Sequence, residues 1–149
     1  RANVAYFGTF GYELDLNKLT ETEIAEVKGQ IAFMKEYRGL LQFGTFYRLK
    51  SPFEGNEMAW MVVSRDKKTA VVGWYRILNE VNGCFTRVKL QGLCEDFCYE
   101  NSRDGSVHYG DELMNLGLVT SDATAGQQPD SQAPCTDYES RVYVLKAIG

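Results

Sequence analysis

Met58-Ala-Trp-Met-Val-Val-Ser64 and Ala70-Val-Val-Gly-Trp-Tyr-Arg-Ile-Leu78 are the two stretches that decide the fold of most of this chain. Each is apolar on both faces when its side chains alternate, which is typical of a central strand that is covered on both sides. The polar turn Arg65-Asp-Lys-Lys68 is short enough to join neighbouring strands. We therefore predict that the two stretches pair near the centre of a sheet.

Further short strands are expected around this pair. They are predicted at Phe46–Lys50, Phe85–Leu90, Phe97–Glu100, Val107–Tyr109, Leu113–Val119 and Arg141–Ala147. The dipeptides Asn82-Gly83 and Asp104-Gly105 are hairpin signals that join consecutive strands. About eight strands at this spacing predict an antiparallel β-sandwich over residues 44–149. Residues 120–137 are rich in Ser, Asp, Gln and Pro and predict a flexible loop inside it.

The first 43 residues have a different pattern. Val4-Ala-Tyr-Phe7 is a continuous apolar run, which predicts a strand buried in a parallel sheet. Thr20 and Glu23 form a capping box at the start of an amphipathic helix, and Gly44 is expected to end that helix. A buried parallel strand followed by such a helix is one unit of an α/β fold, and one unit needs others beside it to be stable.

The composition limits the classes of protein. With 149 residues, 44% of them hydrophobic and 24% charged, the chain is long enough to fold around a core. A formal net charge of −4 argues against nucleic acid as a partner, because phosphate binding needs clustered Lys and Arg. No apolar run has the roughly 18 to 20 residues of a membrane span, and no secretory signal precedes the first strand. Because Arg1 is followed directly by apolar residues, we expect the chain to begin inside a larger protein.

Four cysteines stand at positions 84, 94, 98 and 135. The absence of a secretory signal and of an Asn-x-Ser/Thr acceptor favours a reducing compartment, in which thiols stay free. Three residues separate Cys94 from Cys98, whereas common zinc knuckles have two. We therefore expect free thiols, with no metal site and no cofactor.

Five polar residues are candidates for chemistry. Glu54 and Glu57 are close enough in sequence to flank a sugar as a carboxylate pair, but a Gly-Asn turn between strands favours a surface position. Asp111 and Glu112 would point apart in an extended segment, so capping or turn roles are favoured. His108, the only histidine, has no Gly-x-Ser-x-Gly elbow to serve, and a hydrogen-bonded strand histidine is expected.

Three aromatic residues could stack on a sugar. Trp60, Trp74 and Tyr75 lie in apolar strands, where aromatic side chains more often belong to the core. The residues by themselves therefore show no complete active site.

Several longer blocks of sequence carry a resemblance to a known family. They are Phe7-Gly-Thr-Phe-Gly-Tyr-Glu-Leu-Asp-Leu16, Phe33-Met-Lys-Glu-Tyr-Arg38, Gly44-Thr-Phe-Tyr-Arg-Leu49, Ser51-Pro-Phe-Glu-Gly-Asn-Glu57, Ala59-Trp-Met-Val-Val-Ser64, Gly110-Asp-Glu-Leu-Met-Asn115 and Ser140-Arg-Val-Tyr-Val-Leu-Lys-Ala147. In order, and over nearly the whole chain, they resemble the C-terminal end of bacterial α-galactosidases of glycoside hydrolase family 36. The chain departs from the family pattern at Cys94 and Cys98, at the single Gly110 where a doubled glycine is usual, and in the long segment 120–137.

The resemblance implies an enzyme that removes terminal α-galactose from raffinose-type oligosaccharides and melibiose with retention of configuration. It implies a cytoplasmic homo-oligomer in which residues 1–43 are the last β/α unit of a TIM (β/α)8 barrel and residues 44–149 are the C-terminal sandwich. The family's two catalytic aspartates lie on earlier barrel strands, and neither motif occurs here, so no catalytic residue is carried over. This chain by itself is therefore expected to be inactive.

The loop after a barrel strand lies on the catalytic face of such a barrel. The candidate substrate-binding residues at this barrel mouth are Gly8, Thr9, Phe10, Gly11 and Tyr12.

Two other hypotheses remain open. One is a non-catalytic carbohydrate-binding accessory module that uses exposed aromatic residues. The other is a complete small enzyme that uses Glu54, Glu57 or Asp111. If the galactosidase hypothesis holds, an isolated chain is expected to expose the apolar side chains that the barrel covers, and to aggregate. Those side chains are Tyr6, Phe7, Ile24, Ile31 and Met34.

Overall fold

The computed structural model describes residues 1–78, 86–120 and 137–148. Its helices are α1 (Ala2–Ala5), a short 3-10 helix (Leu16–Lys18), α2 (Glu21–Phe43) and α3 (Gly110–Asn115). Its strands are β1 (Thr45–Lys50), β2 (Glu57–Val63), β3 (Thr69–Arg76), β4 (Arg87–Val88), β5 (Cys98–Asn101), β6 (Val107–Tyr109), β7 (Leu118–Val119) and β8 (Glu139–Ile148). Among these residues no helix is both long enough and apolar enough to cross a membrane.

Six of the described strands form one antiparallel sheet in the order β1-β2-β3-β8-β5-β6, and β4 pairs with β7. The predicted pairing of the two apolar stretches is confirmed, with Val62 opposite Val71 in the β2–β3 ladder. The strand β8 lies between β3 and β5, so pairing between distant parts of the chain holds the sheet together. The prediction of a mostly antiparallel β domain is confirmed.

Each face of the sheet is covered by a different part of the chain. One face forms the main core together with the segment that holds β4, α3 and β7. Its buried apolar members are Ala59, Met61, Val63, Ala70, Val72, Trp74, Val88, Leu90, Leu93, Tyr99, Leu113, Leu118, Tyr143 and Leu145. On the other face the turn after α1 and the start of β1 place aromatic rings beside Trp60, whose ring centroid lies 5.8 Å from that of Phe7 and 6.4 Å from that of Phe46.

Helix α2 begins and ends where the sequence predicts. The Thr20 side chain accepts a hydrogen bond from the Glu23 amide, and the Glu23 carboxylate accepts one from the Thr20 amide at 2.8 Å. The helix ends before Gly44, where a Cβ atom would lie 2.5 Å from Val62 Cγ1 and 2.7 Å from the Leu40 carbonyl oxygen. The backbone of Gly44 is extended and not left-handed, so a positive φ angle is not the reason for glycine here. Glycine is needed because a side chain would not fit against β2.

The prediction of a buried parallel strand at Val4–Phe7 is wrong. This segment is helix α1 and a turn, in which the Tyr6 amide donates to the Ala2 carbonyl at 3.0 Å and the Gly8 amide donates to the Ala5 carbonyl. A barrel strand takes its hydrogen bonds from parallel strands on both sides. The described residues provide no such strand, and the segment satisfies its amides locally. A TIM-barrel unit at 1–43 is thus not shown, and the division at residue 43 stays a prediction.

The expected exposed patch on the helical side is also wrong. Tyr6 and Met34 are buried, and Phe7, Ile24 and Ile31 are half-buried. Because α1 and α2 lie against the sheet and Tyr6 packs on Phe33, the chain itself buries Tyr6 and Met34 and partly covers the other three.

The predicted strand Leu113–Val119 is mostly helix. Residues Gly110–Asn115 form α3, and only Leu118 and Val119 form strand β7. Asp111 and Glu112 lie in the first turn of α3, where the helix dipole favours acidic side chains. Gly117, at φ +92°, turns the chain from α3 into β7.

The two hairpin signals have different outcomes. Asp104-Gly105 joins the paired strands β5 and β6, with Gly105 at φ +70° and the Asp104 carboxylate accepting from the Ser106 amide at 2.9 Å. Asn82-Gly83 lies outside the described residues, as does nearly all of the predicted loop 120–137.

Candidate functional site

The predicted substrate-binding segment Gly8–Tyr12 lies on the surface beside α2. The Phe10 ring stacks on Tyr6 at 5.2 Å between centroids and meets the edge of Tyr12 at 5.3 Å. The Tyr12 hydroxyl donates a hydrogen bond to the Gln30 side chain. Burial raises the pKa of Tyr6 and of Tyr12 above the ordinary tyrosine value, so both hydroxyls are neutral near pH 7. Whether this segment contacts a substrate stays a prediction.

A cleft of about 450 Å³ lies between α2 and β8. The aromatic rings of Tyr6 and Phe33 line it together with the amides of Asn3 and Gln30. Asn3 is held in place by its Nδ2 atom, which donates to Ser140 Oγ at 3.0 Å. Glu26, Arg103 and Arg141 also line the cleft, so it offers aromatic, amide and charged groups to a polar ligand. No local sequence pattern indicates this cleft, because Asn3 and Ser140 are separated by most of the chain.

Glu54 and Glu57 have unlike environments. Glu54 is exposed, whereas Glu57 is largely buried in ion pairs with Lys50 at 2.5 Å and with Arg76 at 3.4 Å. Burial alone would raise the pKa of Glu57, but the hydrogen bond and the charge of Lys50 hold that pKa below its usual value. A glycosidase acid needs a raised pKa, so this arrangement opposes catalysis by the pair.

These ion pairs continue across the sheet. Arg76 also contacts Glu139 at 3.7 Å, and Glu139 accepts hydrogen bonds from Arg141. We call this group, from Lys50 and Glu57 to Arg141, the ion-pair cluster. It joins β1, β2, β3 and β8 at one end of the sheet, which gives it a structural role.

We expect Glu57→Gln to lower the free energy of unfolding by about 1–3 kcal/mol near pH 7, because Lys50 and Arg76 lose a charged acceptor. The pKa of Glu57 is lower in the folded chain than in the unfolded chain. The stabilisation that the Glu57 carboxylate provides is therefore complete above the pKa of an unfolded glutamate, about 4.3. It is lost as the pH falls through the lower pKa that Glu57 has in the folded chain. Urea unfolding at several pH values from neutral to acidic measures both effects, and the acid-dependent loss should be smaller in the variant.

Glu54→Gln is the matched control, since it removes an exposed carboxylate three residues away. We expect a change within about 0.5 kcal/mol for it. Equal effects of the two substitutions would mean that the ion pairs of Glu57 do not stabilise the fold.

The second set of polar candidates lies around α3. The Asp111 carboxylate accepts from the Glu112 amide at 2.7 Å, and His108 Nδ1 lies 3.0 Å from Glu112 Oε1. Asp111 thus has the predicted turn role, although the segment is helical and not extended. His108 is the predicted hydrogen-bonded strand histidine in β6.

The tryptophan, tyrosine and cysteine residues considered for binding or chemistry do not form a site in the part of the chain that the structure describes. Trp74 and Tyr75 are buried and Trp60 is half-buried, as expected of core residues. Cys94 and Cys98 are free thiols, and no cluster of three or more metal-ligating side chains occurs among the described residues. Cys84 and Cys135 lie outside those residues.

Comparison with known proteins identifies the family to which this chain belongs. Residues 57–145 match the family model described as the glycosyl hydrolase family 36 C-terminal domain. The chain belongs to glycosyl hydrolase family 36. Residues 1–44 match a second model, described as melibiase. The resemblance to family 36 that we drew from the sequence blocks is therefore confirmed.

Relatives in family 36 are much longer than this chain. Alpha-galactosidase AgaA of Geobacillus stearothermophilus is 53% identical over 119 residues, which are 80% of this chain and 16% of that protein. The crystal structure of alpha-galactosidase AgaB from the same organism superposes with a TM-score of 0.87 at 46% identity, over 99% of this chain and 19% of that one. A structure of AgaA A355E D548N in complex with raffinose superposes at 0.86 with 45% identity, again over 99% and 19%. The chain thus spans less than one fifth of the length of these relatives.

Proposed function

We propose that this chain is the C-terminal part of an α-galactosidase that hydrolyses terminal α-galactosyl residues of raffinose-type oligosaccharides and melibiose. The observation that supports this most strongly is the pair of family matches, melibiase at 1–44 and the family 36 C-terminal domain at 57–145, in consecutive parts of the chain. The names of the relatives and the raffinose complex of one of them agree with this activity.

The proposed reaction is a double displacement with retention of configuration. One aspartate attacks the anomeric carbon while another carboxylic acid protonates the leaving oxygen, and water then releases galactose from the covalent intermediate. We place both aspartates in the part of the protein that precedes Arg1. The described carboxylates fit a supporting role, since Glu57 is neutralised by cations and Asp111 serves a turn.

In this proposal the sheet supports the catalytic barrel of the full-length protein. We place the exposed segment Gly8–Tyr12 near the substrate of that barrel, where a hydrogen bond to a sugar oxygen would replace the one that the Tyr12 hydroxyl donates to Gln30. We also propose a cytoplasmic homo-oligomer, in agreement with the free thiols of Cys94 and Cys98.

The test is to assay galactose release from raffinose and melibiose by the full-length protein and by residues 1–149 alone. We expect release by the full-length protein only, with α-galactose as the first product seen by NMR. A β-galactoside serves as the control substrate and should not react. A full-length protein that releases no galactose would overturn the proposal.

The cleft between α2 and β8 favours one alternative, a non-catalytic carbohydrate-binding module. The lining of Tyr6, Phe33, Asn3 and Gln30 is its supporting observation. Saturable binding of raffinose by a full-length protein that lacks turnover would select this alternative.

A further inference from the structure

The cleft between α2 and β8 contains an open strand edge. Main-chain groups of a strand point alternately to its two sides. In β8 the Ala147 amide donates to the Lys68 carbonyl on the β3 side, whereas the Val144 carbonyl accepts from the Ser102 amide on the β5 side. The amide and carbonyl of Val142, two residues before Val144, therefore point away from β3. Among the described strands only β5 lies on that side, and it pairs with the last four residues of β8.

This open edge is one residue long. On one side of Val142, the Val144 amide donates to Ser102 Oγ at 3.3 Å. On the other side, the Ser140 carbonyl accepts from Asn3 Nδ2 at 3.4 Å. An added peptide strand needs main-chain hydrogen bonds from several alternate residues, so the edge is too short for one. A donor beside an acceptor suits a hydroxyl group, which can both donate and accept.

Side chains around Val142 offer further hydrogen-bonding groups. Glu26 on α2 and Arg103 next to β5 line the cleft, and neither forms an ion pair with another described residue. Gln30 Oε1 accepts from the Tyr12 hydroxyl, which leaves the amide nitrogen of Gln30 as a donor. The cleft therefore presents donors and acceptors from α2, from β8 and from the residues after β5.

The charges of this lining balance. Arg141, the third charged residue of the cleft, is paired with Glu139. The Glu26 carboxylate and the Arg103 guanidinium then carry one negative and one positive charge. Such a lining favours an uncharged ligand, because a net charge on the ligand would be repelled by one of the two groups.

An apolar side completes the cleft. The rings of Tyr6 and Phe33 line it, with their centroids 4.6 Å apart. An uncharged molecule that has several hydroxyl groups and a face of C–H groups is a saccharide. We propose that the cleft binds a neutral saccharide through the main chain of Val142 and the side chains of Glu26 and Arg103.

Native electrophoresis of the full-length protein in gels that contain galactomannan tests this inference, because binding to the polysaccharide slows migration. Galactomannan carries α-galactosyl groups, and its choice as the probe rests on the proposed function. We expect Glu26→Ala and Arg103→Ala each to raise the dissociation constant obtained from the retardation about tenfold, since each removes a hydrogen bond to a charged group. Both side chains are exposed, so the substitutions should leave the fold intact.

Glu21→Ala and Arg65→Ala are the matched controls. They remove the same charges from exposed positions in α2 and in the β2–β3 turn, and neither residue lines the cleft. The effect of charge on mobility is therefore equal within each pair. Retardation of the cleft variants equal to that of their controls would overturn the inference, and so would migration that galactomannan does not slow.

The proposed function is assayed separately, as galactose release from raffinose by the unsubstituted protein. Retardation that depends on Glu26 and Arg103, without galactose release, would reject the proposed function and leave the saccharide site standing. Galactose release without that dependence would reject the site alone.

Discussion

Replacing Trp74 by alanine is expected to lower the free energy of unfolding by about 3–5 kcal/mol, the largest effect that we predict for this chain. Trp74 is completely buried, and it lies on the core face of β3 between β2 and β8. Alanine would leave a cavity of nearly the whole indole volume at the centre of the sheet. Since the neighbouring strands are held by their ladders, they can close this cavity only in part.

The indole ring also interacts with two cations of the ion-pair cluster. The guanidinium carbon of Arg76 lies 4.8 Å from the ring centroid, and that of Arg141 lies 5.4 Å from it. Each such contact contributes about 0.5–2 kcal/mol. Loss of the ring would therefore weaken both the core and the ion-pair cluster beside it.

Urea unfolding followed by far-UV circular dichroism measures this effect, because tryptophan fluorescence would change with the substitution itself. Trp74→Phe keeps an aromatic face under the two arginines and should cost less than Trp74→Ala. Phe53→Ala removes an aromatic ring that is 96% exposed and should change the unfolding free energy of the isolated chain by about 0.5 kcal/mol or less. If Trp74→Ala and Phe53→Ala gave the same unfolding curve, Trp74 could not be the centre of the core.

Replacing Gly110 by alanine is expected to cost about 3 kcal/mol, the second largest effect. Gly110 begins α3, and its amide donates to the Phe97 carbonyl at 2.9 Å. A Cβ atom here would lie 1.9 Å from the Cys94 carbonyl oxygen and 2.8 Å from the Cys94 carbonyl carbon. Because the obstacle is backbone, no side-chain rotation can remove the overlap, and α3 must move away from the 94–97 turn.

Gly29→Ala is the matched control for Gly110→Ala, since it adds the same methyl group. A Cβ atom at Gly29 meets nothing within 4 Å, and this glycine lies inside α2. We expect the control to stabilise the chain by about 0.5–1 kcal/mol, because alanine favours the helical backbone. Urea unfolding of both variants should thus show changes of opposite sign, and a neutral Gly110→Ala would refute the close approach of α3 to Cys94.

Local sequence was sufficient for the elements whose hydrogen bonds close within a few residues. The capping box of Thr20 and Glu23 and the turn at Asp104-Gly105 both involve groups that are two or three residues apart. The strands β2 and β3 could also be predicted from local sequence, because a strand that is covered on both faces has apolar residues on both. These features persist in the structure as predicted.

Tertiary contacts decided the conformation of segments that local sequence left open. Val4–Phe7 is apolar enough for a strand, but it has no strand beside it among the described residues and satisfies its amides as a helix. The apolar run at Leu113 similarly fits a strand or a helix, and the packing of α3 against the core selects the helix.

What the sequence by itself determined is the family, the capped helix α2 and the antiparallel character of the second part, because these depend on residue order and on neighbours in the chain. Only the tertiary structure decided that Glu57 is held by Lys50 and Arg76, and that the main chain of Ile77 is hydrogen-bonded to Asn56 and Tyr138. The physical reason is strand order. Placing β8 between β3 and β5 brings together residues that are 44 or more positions apart, as in the pair Asn101 and Leu145, and no pattern within a single segment encodes that neighbourhood.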